Sequence, residues 1–404
     1  MPHAHAQSGG PNTASQGPIP PLLTTAAELR PVVLAVQRSP LVAFDTEFHS
    51  ERTYKPQLML VQVATAEGIW LLDPLTIDLR PLMEAMAGRL VVGHALKNDL
   101  RIVWLNYGLL FPQVFDTQIA ASLLGYGLQI GLSGLLLQTL GVHQPKGEQM
   151  SDWSQRPLPD KLRGYAAGDV ANLLPLYDQL HGRLSERNRL AWLQEECAEL
   201  ADPERYERDP EEVWLRVSGA RKLSPKEAGV LAALAAERER LALEEDMVPH
   251  FLMPDDTLLA LAKTAPRHKR EIEGDRRLQQ RGVQRYAARW VEAVERGLKQ
   301  PIQREASRPP PPAELEPVVS LALLVVGDIA QREAVAQGLL VKRDQLTEAL
   351  REPRADADAL AEAAGLHGWR RDLLAQPLWQ LVAGKLGVRC VPGQPLELRL
   401  EERG

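Results

Sequence analysis

Four acidic side chains, Asp45, Glu47, Asp99 and Asp169, are spread over 125 positions and could act on one reaction together. Each interrupts a segment in which apolar or neutral residues are expected. Asp45 and Glu47 fall within the strand-like run Leu41-Val42-Ala43-Phe44-Asp45-Thr46-Glu47-Phe48. Asp99 follows a short β-like run and opens a helix, and Asp169 lies within a helix, four residues after Tyr165. Carboxylates gathered at the edge of a core repel one another unless cations hold them. That cost points to divalent metals, and a pair of metals points to phosphoryl chemistry.

Each segment also has a plainer reading. Side chains alternate along a strand, so Asp45 and Glu47 share one face, ~7 Å apart, while Phe44, Thr46 and Phe48 face the other way. Acidic pairs of this spacing are common on exposed strands, but Val42, Ala43 and Phe44 mark this strand as buried and central. In Gly93-His94-Ala95-Leu96-Lys97-Asn98-Asp99, His94 could serve as a helix cap and Asp99 as a first-turn acid favoured by the helix dipole. Tyr165 and Asp169 share a helix face one turn apart, as a packing aromatic and an exposed acid also would.

The elements that must position these residues are legible in outline. Strands are expected at Leu41–Phe48, Leu58–Ala64, Gly68–Asp73, Leu90–Gly93 and Val114–Asp116. Helices are expected at Leu79–Ala87, His94–Tyr107, Thr117–Leu124 and Leu132–Leu140, with a helix-rich Asp160–Leu184. Strands followed by helices predict a mixed α/β domain over 22–200. Beyond Ala201 the pattern is helical only. Ser224 caps a helix over Pro225–Leu243, with Glu227 completing a capping box. Helices at Asp255–Leu261 and Gly282–Arg296 complete a compact unit over 209–299. A Pro-rich linker, 300–317, leads to a third unit, 318–404, read as helical over Pro317–Pro395 and ending in a strand-like Leu396–Leu400.

At 404 residues, two or three domains are expected, and the composition matches soluble globular proteins. Residues 1–21, rich in Gly, Pro, Ser and Ala, read as a disordered tail and lack the apolar core of a signal peptide. No stretch is long and apolar enough to span a membrane. Cys197 and Cys390 form neither a disulfide framework nor a zinc site, which suggests a reducing, cytoplasmic setting. The net charge of −6 argues against a basic clamp covering the whole surface.

Taken jointly, the acid-bearing segments resemble the three motifs of the DEDDy 3′→5′ exonucleases, a branch of the DnaQ-like superfamily. Phe44-Asp45-Thr46-Glu47-Phe48 is similar to the first, His94-x-x-x-Asn98-Asp99 to the second and Tyr165-Ala166-Ala167-Gly168-Asp169-Val170 to the third. Ser151-Asp152-Trp153-Ser154-Gln155-Arg156-Pro157-Leu158, and Val114-Phe115-Asp116-Thr117 before a helix, resemble the ribonuclease D subfamily. Gly168, where that subfamily usually has Ala, removes no ligand. The resemblance covers about residues 40–185. It implies a ribonuclease H-like mixed sheet, so the fold class expected is α+β, with two all-α HRDC-like domains following.

The resemblance also implies two divalent ions, Mg²⁺ or Mn²⁺, for which oxygen-only ligands are suited; no His/Cys cluster suggests zinc. Asp45, Glu47 and Asp169 would hold the first, and Asp45 with Asp99 would hold or orient the second, partly through water. Tyr165 would orient the attacking water, since a phenol with an ordinary pKa near ~10 makes a poor full base. Thr46 and Phe48 would approach the terminal nucleotide. His94 and Lys97 would either contact phosphate or serve structure, and Asp116 would be structural.

Val213-Trp214-Leu215-Arg216-Val217-Ser218-Gly219, the helix after Ser224 and the segment Asp246–Asp256 resemble an HRDC domain, an auxiliary nucleic-acid-binding module. Residues 263–289 carry nine cations against three anions. Lys263, Arg267, Lys269, Arg270 and Arg281 in this stretch form a candidate RNA-binding patch. The last unit, with Gly368-Trp369-Arg370-Arg371-Asp372-Leu373-Leu374, resembles the C-terminal part of bacterial ribonuclease D and reads as a second, divergent HRDC-like domain, architectural in role, closing a ring or funnel over the nuclease site. The whole implies a monomeric exoribonuclease that trims 3′-extended RNA, especially tRNA precursors, and releases nucleoside 5′-monophosphates. A DNA 3′→5′ exonuclease and a non-catalytic RNA-binding scaffold are the alternatives left open by the residues.

Overall fold

The structure, a computed structural model, describes residues 18–402 except 145–146, 149–150, 208, 275–277, 279, 304–308 and 392–396. Most of the tail, part of the linker, and Arg276 and Arg277 of the basic stretch therefore lie outside the described residues.

The first unit is a six-stranded sheet with helices on both faces. In chain order it runs β1 (Leu22–Leu23), α1 (Ala26–Arg38), β2 (Leu41–His49), β3 (Gln57–Thr65), β4 (Gly68–Leu72), α2 (Arg80–Ala87), β5 (Leu90–Gly93) and α3 (Lys97–Tyr107). It continues with β6 (Gln113–Asp116), α4 (Thr117–Ser122), α5 (Leu132–Leu140), α6 (Asp160–Ala171), α7 (Leu173–Glu186) and α8 (Leu190–Ala198). The strand order is β1-β4-β3-β2-β5-β6. The β2–β3–β4 meander is antiparallel, whereas β5 and β6 add in parallel on the other side of β2. β2 thus has strands on both sides, which is why Val42, Ala43 and Phe44 are fully buried.

Alternation sorts the sheet residues into two cores. Val42, Phe44, Val61 and Val63 pack under α1, α2 and α3, with Phe44 edge-on to Phe111 at 5.6 Å. On the opposite face Leu60 and Leu71 meet Ala166 and Ala167 of α6, and the small Ala43 and Ala64 meet Val170, Leu173 and Leu176. Alanine at these positions leaves room for α6 and α7 to lie close to the sheet, and α6 carries Tyr165 and Asp169. The long helix-rich segment expected over Asp160–Leu184 breaks at Asn172, whose φ of −106° and ψ of 3° are not helical.

The second unit contains α9 (Pro225–Glu244), α10 (Pro249–Leu252), α11 (Asp255–Thr264), α12 (Lys269–Glu273), α13 (Arg281–Arg285) and α14 (Ala287–Lys299). The Ser224–Glu227 capping box is formed. α9 and α14 touch backbone to backbone at Gly229 and Gly297, where a Cβ on Gly229 would lie 2.6 Å from the Gly297 carbonyl oxygen. The single helix expected over Gly282–Arg296 is two, because the backbone turns at Tyr286 (φ −108°, ψ 21°).

The third unit holds α15 (Leu315–Glu333), α16 (Gln337–Leu340), α17 (Arg343–Ala349), α18 (Ala357–Ala363) and α19 (Gly368–Val382). It ends in an antiparallel hairpin of β7 (Leu386–Val391) and β8 (Glu397–Glu402). Leu386–Val391 therefore corrects the helical expectation: Gly384 at φ +73° ends the helical run, and the strand pairs with β8. Leu396 and Pro395, named in that expectation, lie outside the described residues. The core of this unit is continuous with the sheet face that α4, α7 and α8 cover. Trp369 stacks on Trp192 of α8 at 4.7 Å and 12°, and Glu196 of α8 accepts from both Trp369 (3.0 Å) and Arg370 Nη2 (2.7 Å).

Candidate active site

The site begins where β5 stops. β5 pairs with Leu41–Ala43 only, so β2 runs on past it and leaves the edge of Asp45–Glu47 uncovered on that side. The first turn of α3 fills this gap. A side chain at Gly93 would collide with Leu96 Cδ2 at 2.2 Å and with the Phe44 carbonyl oxygen at 2.9 Å. The chain then turns through Ala95 at φ +58°. The Asp116 carboxylate holds that turn, accepting from the Ala95 and Leu96 N–H groups at 3.1 and 2.8 Å, and it caps α4 through Gln118 N–H at 2.8 Å. His94–Leu96 are accordingly not helical, and α3 starts at Lys97.

Asp45 and Glu47 project from one face of β2 toward α6, where Asp169 approaches. One carboxylate oxygen from each of Asp45, Glu47 and Asp169 lies within 4.8 Å of the others. Asp99 stands outside this trio. It is 6% exposed, and the Thr46 hydroxyl, pointing to the other side of β2, donates to its Oδ1. Asp99 is nonetheless close enough to raise the Asp45 carboxyl well above the usual carboxylate range, where burial first, then Asp99, Asp169 and Glu47, disfavour the charge. Burial, followed by repulsion from Asp169 and Asp99, pushes Glu47 up to about 9. Burial also raises Asp99 and Asp169 to about 7 each, against the opposing hydrogen bonds from Thr46 and Gln144. The site is therefore starved of positive charge. Hard oxygen donors so placed fit a divalent cation such as Mg²⁺ or Mn²⁺.

Tyr165, one turn before Asp169, packs its ring 6.2 Å from Trp153. Trp153 belongs to the segment Ser151–Leu158, which Arg156 pins to the sheet: its guanidinium reaches both oxygens of the buried Asp73 (2.6 and 2.8 Å) and the Met59 carbonyl (2.8 Å). A cleft of about 700 Å³ opens beside Glu47, between Phe48–Thr53 on one side and Ser151–Ser154 on the other. Phe48 follows a bulge in β2 and is half-buried along this cleft. Beyond the cleft the loop reaches the second unit, where the Tyr54 hydroxyl donates to Glu239 at 2.6 Å and Lys55 N–H to Asp246 at 3.0 Å.

Two of the candidate contacts separate here. Both ring nitrogens of His94 are engaged inside the protein, Nδ1 with the Thr117 hydroxyl (2.9 Å) and Nε2 with the Ile130 carbonyl (3.0 Å). The carbonyl partner places the proton on Nε2. These contacts tie His94 to the start of α4 and to the chain at Ile130. Lys97 is exposed at the start of α3. Sequence reasoning missed Gln144, whose amide donates to Asp169 Oδ1 at 2.6 Å; a glutamine in a loop carries no pattern that would announce this.

Lys263, Arg267, Lys269, Arg270 and Arg281 are exposed on the second unit, Lys269 in an ion pair with Glu273 at 3.0 Å. The basic stretch is narrower than its charge count suggests. Arg289 is bound to Glu237 and Glu244, each at 2.6 Å, and Arg285 pairs with Glu245 at 3.3 Å.

A six-stranded mixed sheet carrying clustered acids on its central strand and facing helix, joined to a helical auxiliary unit, defines a 3′→5′ exonuclease with an HRDC domain. The family model for 3′→5′ exonucleases matches residues 21–185, and that for HRDC domains matches residues 227–294. The chain is 34% identical to the ribonuclease D of Granulibacter bethesdensis, over 92% of this chain and 95% of that one. It is 35% identical to that of Gluconacetobacter diazotrophicus, over 91% and 94%. The crystal structure of Escherichia coli RNase D, described as an exoribonuclease involved in structured RNA processing, superposes with a TM-score of 0.75 at 27% identity, covering 90% of this chain and 99% of that one. The chain belongs to the ribonuclease D family and is a 3′→5′ exoribonuclease. Among the described residues, no helix is long and apolar enough to cross a membrane.

Proposed function

We propose that Asp45, Glu47 and Asp169 hold one divalent ion and Asp45 with Asp99 a second, Mg²⁺ or Mn²⁺, and that RNA enters the cleft beside Glu47 with its 3′ end first. The ions, when bound, supply charge stabilisation to the attacking and leaving oxygens of an in-line displacement at phosphorus. Tyr165 orients the attacking water through its hydroxyl, with its ring held by Trp153. Thr46 positions Asp99 with its side chain and offers its backbone to the terminal nucleotide, and Phe48 lies against that nucleotide's base. Lys97 meets phosphate near the site. Lys263, Arg267, Lys269, Arg270 and Arg281 take the RNA backbone further out, where Tyr54 and Lys55 join the cleft wall to the HRDC unit. Nucleoside 5′-monophosphates leave.

The substrate in this reading is a 3′-extended RNA, tRNA precursors above all, met by a monomer in the cytoplasm. The unpaired Cys197 and Cys390 are consistent with a reducing compartment. Residues 318–404 form a divergent HRDC-like domain with an added hairpin, fused to the nuclease unit through a shared core. The observation that carries the reading is the approach of the Asp45, Glu47 and Asp169 oxygens to within 4.8 Å of one another beside an open cleft. Its test is a timed digestion of a 3′-extended tRNA with Mg²⁺, Mn²⁺ or chelator. Stepwise shortening from the 3′ end that stops in chelator is expected. Cleavage that persists in chelator, or internal cuts, would refute it.

A further inference from the structure

We propose that Gln62 is a positioning residue for the acid cluster: its side-chain amide donates to the Asp45 carboxylate and thereby fixes the orientation in which Asp45 receives a cation. The inference rests on the metal-binding reading above and adds a residue to it.

Gln62 is fully buried in the middle of β3, and neither its Nε2 nor its Oε1 has a hydrogen-bond partner in the protein. Its neighbours along the strand, Met59-Leu60-Val61 and Val63-Ala64, are apolar throughout. A buried amide with both ends unsatisfied carries a desolvation cost that an apolar side chain of the same length would avoid. Packing alone therefore does not account for glutamine here.

The register of the sheet shows what does. Gln62 lies directly opposite Asp45 in the antiparallel β2–β3 pair. Opposed residues project to the same face with Cβ atoms only about 4.5–5.5 Å apart. On that face Leu60 and Leu71 pack against α6, the helix that brings Asp169. The amide is thus enclosed in the sheet between Leu71 of β4 and Asp45 of β2, and Asp45 is the one polar residue of the two directly opposite it.

Two of the other three acids show the same device already made: Asp99 receives the Thr46 hydroxyl, and Asp169 receives the Gln144 amide. The unpartnered amide across the sheet is the side-chain donor placed to do the same for Asp45. Such a hydrogen bond selects which carboxylate oxygen remains for the cation.

The test uses the full chain without RNA. Mn²⁺ binding is measured by calorimetry for the wild type, Q62M, Q62L and D45N, and each is melted in chelator. The expected result is that Q62M and Q62L melt at or above the wild-type temperature while binding Mn²⁺ about tenfold more weakly, as loss of an outer-shell ligand partner does. Nuclease activity of Q62M should then need correspondingly more Mn²⁺ to reach half its maximum. Wild-type affinity in a folded Q62M would overturn the proposal. So would a lower melting temperature in chelator for both apolar variants, because Gln62 would then serve the fold. If the wild type binds Mn²⁺ no better than D45N, the metal reading itself fails and the role of Gln62 falls with it.

Discussion

The acid cluster should make the cation-free protein less stable as pH rises. Glu47 titrates at about 9 in the folded chain against an ordinary 4.5, and Asp99 and Asp169 at about 7 against 3.8. The folded state therefore keeps protons that the unfolded chain has already released. Wherever the native state binds more protons, unfolding free energy falls with rising pH. The decline begins near the unfolded values, runs to about 7 for the two aspartates and continues to about 9 for Glu47. Each retained proton contributes about 1.4 kcal/mol per pH unit. The one proton that Glu47 keeps between pH ~5.5 and ~7.5 thus costs roughly 3 kcal/mol, or about 6–12 °C in melting temperature for a domain near 200 residues. The assay is thermal melting followed by circular dichroism in chelator at those two pH values, for the wild type and the E47Q variant. The variant subtracts histidines, the other acids of the cluster and all further groups common to both. The wild type should lose about 3 kcal/mol more than the variant across this range, and saturating Mn²⁺ should restore it at the higher pH. Equal pH dependence in the two proteins would refute the electrostatic reasoning.

Other substitutions probe the remaining parts. Tyr165→Phe keeps the ring against Trp153 and should leave the melting temperature nearly unchanged while lowering RNA turnover about 10²-fold, as measured with a 3′-labelled oligonucleotide. Arg156→Ala strands the carboxylate of Asp73, itself 1% exposed, and should destabilise the fold by about 3–5 kcal/mol in a denaturant titration. Reversing Arg267 and Arg270 to glutamate should weaken RNA binding and flatten its logarithmic salt dependence by about 1–2, with hydrolysis of a short oligonucleotide unchanged.

Much of this was readable because the relevant residues break a pattern. An acid pair in an apolar strand marked β2 as both central and functional, and the run Leu90–Gly93 gave β5 to the residue. What the sequence hid has specific causes. α1 is not among the expected helices although Thr25 and Glu28 form a capping box, and Pro31 within it is a residue that local propensity sets against a helix. α8 is not among the expected helices because its buried residues, Leu193 and Cys197, are few, and the polar contacts of its Glu196 come from Trp369 and Arg370, remote in sequence. β7 falls in a stretch expected to be helical because its strand character comes from pairing with β8, which a local window of sequence does not contain. The hydrogen bonds of His94 to Thr117 and Ile130 depend on segments meeting in space, which no local pattern shows. The narrowing of the basic stretch has the same origin: charge can be counted along the chain, but Arg289 turning inward to Glu237 cannot.

The most direct measurement is anomalous diffraction from crystals of the full chain equilibrated with Mn²⁺ and an RNA 3′ end. The account requires two anomalous peaks sharing Asp45, one also bounded by Glu47 and Asp169 and the other by Asp99. A map with no manganese among these carboxylates, or with the metal bound elsewhere while they remain protonated and close, would contradict it.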